Sequence, residues 1–313
     1  MTATITGGTG FVGRHLVDLL NREHVSVTVV SNEPNVDPHG PFYCAADITH
    51  EAQIAAAFAQ RNPTHVYHLA AISTLSEAAR EVRLAFEVNV WGTRNVLEAS
   101  SRLPGPPRVL NVSSSQVYGP VNRQIDESTP VAPTSIYGST KAMSEVWASL
   151  YSPRLEVITA RSFNHTGPGQ TDAFVLPHLA RSLAEIEAGL RPPALHTGNL
   201  NVERDFTDVR DVVKAYLVLM QRGHAGHIYN VCSGKYYRIS DLLDILLGLA
   251  KVKVSVAVDK SRCRANDIPR IWGDHSKLTE HTGWRPSIPI EQTLQDMLSC
   301  WRAHIRDSAQ APA

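Results

Sequence analysis

The chain has 313 residues, 43% of them hydrophobic, and its 30 lysines and arginines balance 30 aspartates and glutamates. This length supports one large domain or two modest ones, with a sizeable buried core. The balanced charge argues against a global field that would recruit nucleic acid or an anionic membrane, so we expect neither as a partner. The sequence has no signal-peptide pattern and no apolar run long enough to span a bilayer, so we expect a soluble, cytoplasmic protein.

The cysteines and histidines give no sign of a disulfide framework or a metal site. Four cysteines lie far apart without a Cys-x-x-Cys pair, and the 14 histidines are scattered without a His-Glu-x-x-His motif. We therefore predict reduced thiols, as is usual in cytosolic enzymes, and no metal site.

Short apolar segments alternate with helical patterns through the first half of the chain. The sequence predicts strands at 3–5, 25–30, 66–69, 109–112 and 157–160, and helices at 51–60, 85–101 and 137–150. This alternation predicts an α/β fold in which a Rossmann-type, doubly wound parallel sheet carries helices on both faces.

The pattern changes after Arg161. Turns at 164–170 precede a predicted helix at 174–188, and later segments predict helices at 211–221 and 239–250, a further main-sheet strand at 227–231 and an outer strand at 251–258. We interpret residues 1–161 as a dinucleotide-binding domain with later returns near 197–231. Residues 162–313 form mainly a smaller C-terminal substrate-binding domain in this interpretation, interleaved with the first domain in sequence.

A glycine-rich turn at 6–13, TGGTGFVG, separates the first predicted strand from an amphipathic helix. Gly7 permits a tight turn, Gly10 lets backbone N–H groups approach a pyrophosphate, and Gly13 lets the helix pack closely on the strand. Glycines also occur in turns that bind nothing, but the strand before and the helix after favour a dinucleotide. The predicted cofactor contacts in this turn are Gly7, Thr9, Gly10, Phe11, Val12 and Gly13.

A tyrosine and a lysine four residues apart, Tyr137 and Lys141, begin a predicted helix and project from one face. A free phenol has a pKa of about 10, and a nearby ammonium group favours its ionised form. Ser114 follows an apolar strand, at the edge where open α/β sheets bind ligands, although serines there also cap helices. Together with the glycine turn, these three residues predict proton-transfer chemistry beside a dinucleotide.

In the order and spacing of these motifs the chain resembles the extended short-chain dehydrogenases/reductases that act on nucleotide sugars. The resemblance implies that Ser114 hydrogen-bonds the substrate oxygen, that Tyr137 exchanges its proton, and that Lys141 holds the nicotinamide ribose while lowering the pKa of Tyr137. Asp47 matches an adenine contact, though it can instead cap the next helix, and we interpret Asn89 as structural. The further cofactor contacts implied are Asp47, Ile48, Leu69, Ala70, Ala71, Tyr137, Lys141 and Phe163.

Residues 161–170, RSFNHTGPGQ, resemble the reductases of GDP-6-deoxy-4-keto-mannose and the related GDP-mannose dehydratases, and 203–209, 229–234 and 282–286 extend the similarity. By this resemblance Arg204 and Arg264 meet the nucleotide diphosphate, although a single arginine can equally belong to a surface ion pair. The substrate contacts implied are Ser114, Ser115, Gln116, Tyr137, Asn164, Arg204, Arg264 and Asp267.

Gln116 separates two reactions of these enzymes. The dehydratases need a glutamate base two residues after the catalytic hydroxyl, and an amide offers no base of comparable strength. We therefore expect ketone reduction, with GDP-4-keto-6-deoxy-D-mannose converted to GDP-D-rhamnose. A nucleotide-sugar 4-epimerase with tightly bound NAD uses the same serine, tyrosine and lysine and is the alternative. A non-catalytic dinucleotide sensor is a remote alternative, because it would be expected to lack these residues.

The end of the second predicted strand bears on the choice of cofactor. NAD-preferring enzymes commonly place an acidic residue where this chain has Ser31, followed by Asn32. Without that carboxylate the site can accept the adenosine 2′-phosphate of NADP(H), but no arginine lies beside Ser31 to bind this phosphate. We expect NADP(H) or NAD(H) as cofactor, with NADPH favoured, and from the family resemblance a homodimer built through the helices at 85–101 and 137–150.

Overall fold

The computed structural model describes residues 1–33, 42–259 and 268–310. Its strands are β1 (Thr2–Thr6), β2 (Ser26–Ser31), β3 (Phe42–Ala45), β4 (His65–His68), β5 (Arg108–Ser114), β6 (Val157–Ser162), β7 (Asn164–Thr166), β8 (Ala194–Thr197), β9 (Glu203–Arg204), β10 (Phe206–Asp208), β11 (Ile228–Val231), β12 (Tyr237–Arg238), β13 (Ser255–Val258) and β14 (Arg270–Ile271).

The helices are α1 (Phe11–Arg22), α2 (Glu51–Arg61), α3 (Leu75–Arg80), α4 (Val82–Phe86), α5 (Thr93–Ser101), α6 (Ile136–Tyr151), α7 (Val175–Glu187), α8 (Val209–Arg222), α9 (Ile239–Leu249), α10 (Ser276–Thr282) and α11 (Ile290–Gln310). A π-helical turn, Glu87–Gly92, joins α4 to α5, and a 3-10 turn, Ser115–Val117, follows β5. The helix predicted at 85–101 is therefore interrupted, and only its first two residues belong to α4.

A seven-stranded sheet forms the centre of the molecule, with the order β11-β6-β5-β4-β1-β2-β3 and parallel pairing throughout. The predicted α/β fold with a doubly wound parallel sheet is confirmed. The chain builds outward from β1 to β3 on one side and from β4 to β11 on the other. The switch point therefore lies between β1 and β4, where such sheets bind ligands beyond the carboxyl ends of the strands.

Helices cover both faces of this sheet. On one face α1 and α8 bury Leu16, Leu20 and Tyr216 against the strands, and on the other α2, α5 and α6 bury Phe58 and Leu97. Each large apolar side chain buried in this way contributes about 1.5–3 kcal/mol to stability. The two layers hold the strand ends in fixed positions.

A separate apolar cluster lies in the second half of the chain. It joins α7, α9, α11 and β8, with Leu183, Leu243 and Leu294 fully buried. The outer strand predicted at 251–258 is shorter, since β13 spans only its last four residues and pairs with β8 rather than with the main sheet. Across the described ranges, no helix combines the length and the apolar character needed to cross a membrane.

Candidate active site

A cavity of about 1480 Å³ lies between the carboxyl ends of β1, β2, β4 and β5 and the second apolar cluster. It exceeds the roughly 300–1,000 Å³ typical of sites for one small ligand, so it has room for two. The predicted site residues that line it are Gly7, Thr9, Gly10, Phe11, Val12, Gly13, Ser31, Asn32, Asp47, Ile48, Leu69, Ala70, Ala71, Ser114, Gln116, Tyr137, Lys141, Phe163, Asn164 and Arg204.

Three of the predicted contacts are not among these lining residues. Ser115, only 4% exposed, begins the 3-10 turn after β5 and does not line the cavity. Arg264 and Asp267 lie outside the described residues. The substrate roles of all three stay predictions.

The glycine turn brings the start of α1 against the end of β4. Gly7 has φ +72°, and a Cβ there would lie 2.8 Å from the backbone nitrogen of Ala70. A Cβ on Gly13 would overlap the carbonyl oxygen of Gly7, so only glycine lets the helix approach this closely. In this described segment no side chain caps α1, and its first turn carries no acidic residue. Its N–H groups and positive dipole end are thus available to an anion in the cavity.

The end of β2 forms the wall beside this turn. The Ser31 hydroxyl lies 3.3 Å from the hydroxyl of Thr9 and accepts a hydrogen bond from the backbone N–H of Glu33. Glu33, the acidic residue two positions after Ser31, also lines the cavity, and the sequence patterns predicted no role for it.

Asp47 and Asn89 show how closely structural and binding roles can overlap. One carboxylate oxygen of Asp47 accepts hydrogen bonds from the N–H and the hydroxyl of Thr49, both at 2.8 Å, just before α2. Asp47 thus stabilises the turn before α2 but does not cap the helix, whose N-cap is His50 without a side-chain hydrogen bond, and it also lines the cavity. Asn89 is buried and bonds the backbone of Ile72 and the hydroxyl of Thr140, as a structural residue does.

Ser114, Tyr137 and Lys141 all line the cavity, and Tyr137 hydrogen-bonds Ser114. Ser114 ends β5, and its hydroxyl accepts from the N–H of Gln116 at 3.2 Å. Ser135 caps α6 by accepting from the N–H of Gly138 at 3.0 Å, which sets the position of Tyr137 on the first turn. Because a Cβ on Gly138 would overlap the carbonyl oxygen of Gln116, α6 begins directly against the turn that follows Ser114.

The pKa values of this trio are set by burial. Burial raises the pKa of Tyr137, and a hydrogen bond with Ser114 opposes that rise in part. Burial also lowers the pKa of Lys141 to about 8, against the opposing charge of Glu145. Desolvation outweighs the hydrogen bond, so the net direction of the Tyr137 pKa is upward, and its lowering by Lys141 beside a bound cofactor stays a prediction. Tyr137 is a phenol, and hence a proton donor, throughout the neutral range.

Beneath the trio lies a buried polar network that motif analysis did not anticipate. Arg161, at the end of β6, donates two hydrogen bonds to Glu145 at 2.9 and 2.7 Å and a third to the hydroxyl of Tyr118 at 2.9 Å. Tyr118 in turn donates to Asn230 at 2.8 Å, and Ser113 donates to Glu145 at 2.5 Å. The network ties α6, one turn beyond Lys141, to β5, β6 and β11.

The loop after β6 folds back on the glycine turn. His165 stacks on Phe11 with ring planes 11° apart, and His15 hydrogen-bonds the carbonyl oxygen of Pro168 at 2.9 Å. Gln170 accepts from the hydroxyl of Thr166 at 2.7 Å. His165 and Gln170 both line the cavity, and neither was assigned a role from sequence.

Most of the 203–209 stretch has structural partners, while Arg204 and Phe206 line the cavity. Asp205 is 1% exposed and accepts from the N–H groups of Ser233, Gly234 and Gly273, so it joins β9 to the end of β11. Burial raises its pKa to about 6 despite these hydrogen bonds. This motif therefore positions Arg204 through the packing of its neighbours.

The far wall of the cavity belongs to the second half of the chain and was not marked by any motif. Amphipathic patterns predicted α7 and α9, but they do not indicate which residues face a ligand. The lining residues there include 172–179, 196–200, Val202, Ile239 and Ile271.

Comparisons with known proteins match the chain over almost its whole length. Residues 4–297 match the family described as GDP-mannose 4,6 dehydratase. The GDP-6-deoxy-D-mannose reductase of Pseudomonas aeruginosa is 35% identical over 310 residues, which cover 97% of this chain and 98% of that protein. Such identity over a full chain extends the likeness from the glycine turn to the second apolar cluster.

Solved structures also match the chain over almost its whole length. The structure of RMD from Pseudomonas aeruginosa complexed with NADPH has a TM-score of 0.86 and 33% identity, and the alignment covers 97% of this chain and 99% of that one. The Thermus thermophilus UDP-glucose 4-epimerase in complex with NAD has a TM-score of 0.84 and 28% identity, with 96% and 99% covered. Both relatives hold a nicotinamide dinucleotide.

Proposed function

This chain belongs to the GDP-mannose 4,6-dehydratase family of extended short-chain dehydrogenases/reductases, and we propose that it reduces the C4 ketone of a nucleotide-linked 6-deoxy-4-ketohexose with NADPH or NADH. The substrate in this proposal is GDP-4-keto-6-deoxy-D-mannose. The product is GDP-D-rhamnose. The full-length likeness to a GDP-6-deoxy-D-mannose reductase supports this choice over the epimerase.

The observation that carries the proposal is Gln116 beside an intact Ser114, Tyr137 and Lys141. Gln116 lines the cavity and follows Ser114 by two residues, where a dehydratase of this family needs its glutamate base. An amide cannot accept the proton alpha to a ketone at a useful rate. Reduction needs a hydride and a single proton, which this set of residues can serve.

The protein's own part in the reaction is to orient the ketone and deliver the proton. The reduced nicotinamide, when bound, supplies the hydride. Ser114 donates a hydrogen bond to the C4 oxygen, and Tyr137 transfers its phenolic proton to that oxygen as the C4 hydroxyl forms. The ammonium group of Lys141 then stabilises the tyrosinate left behind, and solvent restores its proton.

The glycine turn fits the diphosphate of a dinucleotide. Gly7 and Gly13 leave the backbone uncovered, and the positive end of α1 faces the cavity. Lys141 would hold the nicotinamide ribose. At the adenosine end, Ser31 permits a 2′-phosphate while the exposed Glu33 carboxylate opposes one, so we propose use of both cofactors with NADPH favoured.

The remaining cavity would hold the sugar nucleotide between the strand ends and the second apolar cluster. In this proposal residues 162–313 act mainly as the substrate domain. Arg204 meets the diphosphate with Arg264, Asp267 accepts the nucleotide ribose hydroxyls, and Asn164 binds the sugar-phosphate side.

One experiment tests the proposal. The purified protein is incubated with NADPH and GDP-4-keto-6-deoxy-D-mannose, and the product is identified by NMR, with UDP- and dTDP-linked ketosugars as controls. We expect GDP-D-rhamnose together with stoichiometric oxidation of NADPH. An epimerase would instead retain its nucleotide and turn over without added reductant, and that result would contradict the proposal. Equal rates with NADPH and NADH would remove the cofactor preference.

The Gln116→Glu variant is not expected to become a dehydratase. A carboxylate restores a base at this position, but elimination also requires the substrate to be held for removal of the alpha proton. Incubation with GDP-mannose and NADP, followed by NMR, should show no 4-keto-6-deoxy product, while Gln116→Ala serves as the neutral control. Dehydration by the glutamate variant alone would mean that the site already accommodates that geometry.

The pH dependence of reduction should reflect Lys141. Its pKa near 8 means that the ammonium form prevails below pH 8 and is lost as the pH rises through that value. Tyr137 stays protonated over this interval because burial raises its pKa. We therefore expect kcat/KM to fall above about pH 8, by up to about tenfold per pH unit where the charge is required.

The Lys141→Arg variant is the control for this assignment, since a guanidinium keeps its charge to far higher pH. A reduced but pH-independent kcat/KM between pH 7 and 10 is expected for it. An unchanged descending limb in this variant would assign the limb to another group.

We also propose that the protein forms a homodimer through α6 and the segment from α4 to α5. On α6, Met143, Val146 and Leu150 share one face and are 44%, 58% and 62% exposed. Trp91 continues this apolar face with 55% exposure, against the Trp147 ring at 6.1 Å. A second copy of the chain is the occupant that would cover it about a two-fold axis, helix against helix.

The Val146→Asp variant tests this interface. Burying an unpaired carboxylate at a symmetric contact is costly on both subunits, so the mass in solution should fall from twice 34.3 kDa to 34.3 kDa. Multi-angle light scattering makes the measurement. Val252→Asp, at a valine 40% exposed elsewhere, should leave the mass unchanged. A monomeric wild-type protein, or a dimer in both variants, would contradict the proposal.

A further inference from the structure

Three histidines converge on the side of the sheet opposite to the cavity. His224 and His227 lie in the connection between α8 and β11, and His281 lies near the end of α10. One ligating nitrogen of each lies within 4.8 Å of the others. The ring centroids are 4.2 Å apart for His224 and His281 and 5.4 Å apart for His224 and His227.

This spacing suits a metal ion after small side-chain rotations. Zinc binds imidazole nitrogens at about 2.0–2.1 Å, so nitrogens in a tetrahedral site are about 3.3 Å apart. His224 and His227 are exposed and His281 is half-buried, so their rings can turn through the remaining distance at little cost. Their backbones are held in place, because the carbonyl oxygen of His227 accepts from the N–H of Thr159 on β6 at 3.0 Å and α10 packs against β11.

Tyr229 forms hydrogen bonds with two residues of the cluster. Its hydroxyl lies 2.8 Å from Nδ1 of His281 and accepts the backbone N–H of His224 at 2.9 Å. When Nδ1 of His281 carries the proton and donates to that oxygen, Nε2 is left as a metal ligand. Outer partners that fix the orientation of a ligating histidine in this way are usual in metal sites.

We propose that His224, His227 and His281 form a binding site for a divalent transition-metal ion of the zinc type, with a fourth position open to water. Such ions favour imidazole, whereas magnesium and calcium favour oxygen ligands. Nearby Lys277 donates to the carbonyl oxygen of Ile228 at 2.8 Å, which holds its ammonium on the strand.

The role that follows is structural. The metal would join the connection before β11 to the end of α10, at the amino end of β11, whereas Ser114 lies at the carboxyl end of β5. A ligand that binds only the folded state raises the free energy of unfolding by an amount that grows with the logarithm of its concentration above its Kd. The site is independent of the proposed reduction and uses none of its residues.

The test uses zinc with full-length, untagged protein that has been treated with a chelator. Isothermal titration should show one zinc per protomer, and saturating zinc should raise Tm by about 2 °C or more. His281→Ala and His227→Ala should each weaken binding at least about tenfold and abolish the rise in Tm. His304→Ala, an exposed histidine on α11, should behave as wild type.

The two variants complement each other. His281→Ala removes the Tyr229 contact and so can disturb folding, which circular dichroism reports, while His227→Ala changes an exposed side chain. Absence of saturable binding to the wild type would overturn the proposal. Equal zinc affinity of the wild type and the folded His227→Ala variant would overturn it as well.

Discussion

The Tyr137→Phe variant is expected to lose about 10²- to 10⁴-fold in kcat for ketone reduction, while its affinity for the cofactor changes little. Tyr137 is the phenol beside Ser114, and burial keeps its proton in place through the neutral range. Phenylalanine preserves the ring that lines the cavity but removes the phenolic hydroxyl, which is the only group of this side chain that can donate a proton. Oxidation of NADPH measures kcat, and titration of cofactor fluorescence measures Kd.

Tyr236→Phe is the matched control, because this tyrosine is 43% exposed and does not line the cavity. It should retain the wild-type rate. Tyr137→Phe with wild-type turnover would exclude Tyr137 as the proton donor, whatever the product. Parallel losses in kcat and in cofactor affinity would instead indicate that the ring mainly shapes the pocket.

The sheet was predictable because its strands are short apolar segments buried on both faces, with helices of clear periodicity between them. The outer strands β3 and β13 were harder to predict from the sequence. β3 has exposed residues at both ends and no buried one, so its pattern does not stand out from a loop. β13 is exposed throughout, and its alternation indicated a strand without indicating its partner.

Within the site, local signals were informative and distant contacts were not. Two motifs are recognisable because each occupies a short stretch of sequence. Gly7 and Gly13 belong to one glycine-rich turn, and Tyr137 and Lys141 lie about one helical turn apart. Ser114 and Ser115 are adjacent, yet only Ser114 lines the cavity, and this depends on how β5 ends.

The histidine cluster shows the same limit on a larger scale. His224 lies in the connection before β11 and His281 lies on α10, and the two are brought together where α10 packs against β11. No spacing rule along the chain connects them, which is why sequence motifs gave no metal site. The structure supplies this proximity through its topology.

The buried pair Glu145 and Arg161 should be the most sensitive point for stability outside the apolar core. Their side chains are 9% and 4% exposed and share two hydrogen bonds. Burial alone would lower the pKa of Arg161, but the hydrogen bond and charge of Glu145 outweigh it, so the guanidinium stays charged. Removing one partner leaves the other charge buried without compensation, which costs about 3–5 kcal/mol.

Arg161→Met should therefore lower the free energy of unfolding by about 3–5 kcal/mol, measured by urea denaturation at pH 7. Arg83→Met, at an arginine whose side chain is 92% exposed in its pair with Glu87, should lower it by less than about 1 kcal/mol. Equal, small losses in the two variants would show that the buried pair is not required for stability.

The double variant Glu145→Gln with Arg161→Met separates the value of the pair from the cost of an unpaired charge. It leaves neither ion behind, so it should be more stable than Arg161→Met alone, with an interaction energy of at least about 1 kcal/mol. Since Glu145 lies one turn beyond Lys141 on α6 and also accepts from Ser113 on β5, the double variant should still lose kcat. Restored stability with restored kcat would mean that the network stabilises the fold without positioning Lys141. Restored stability with a persistent kcat defect would identify Glu145 as a positioning residue for the catalytic lysine.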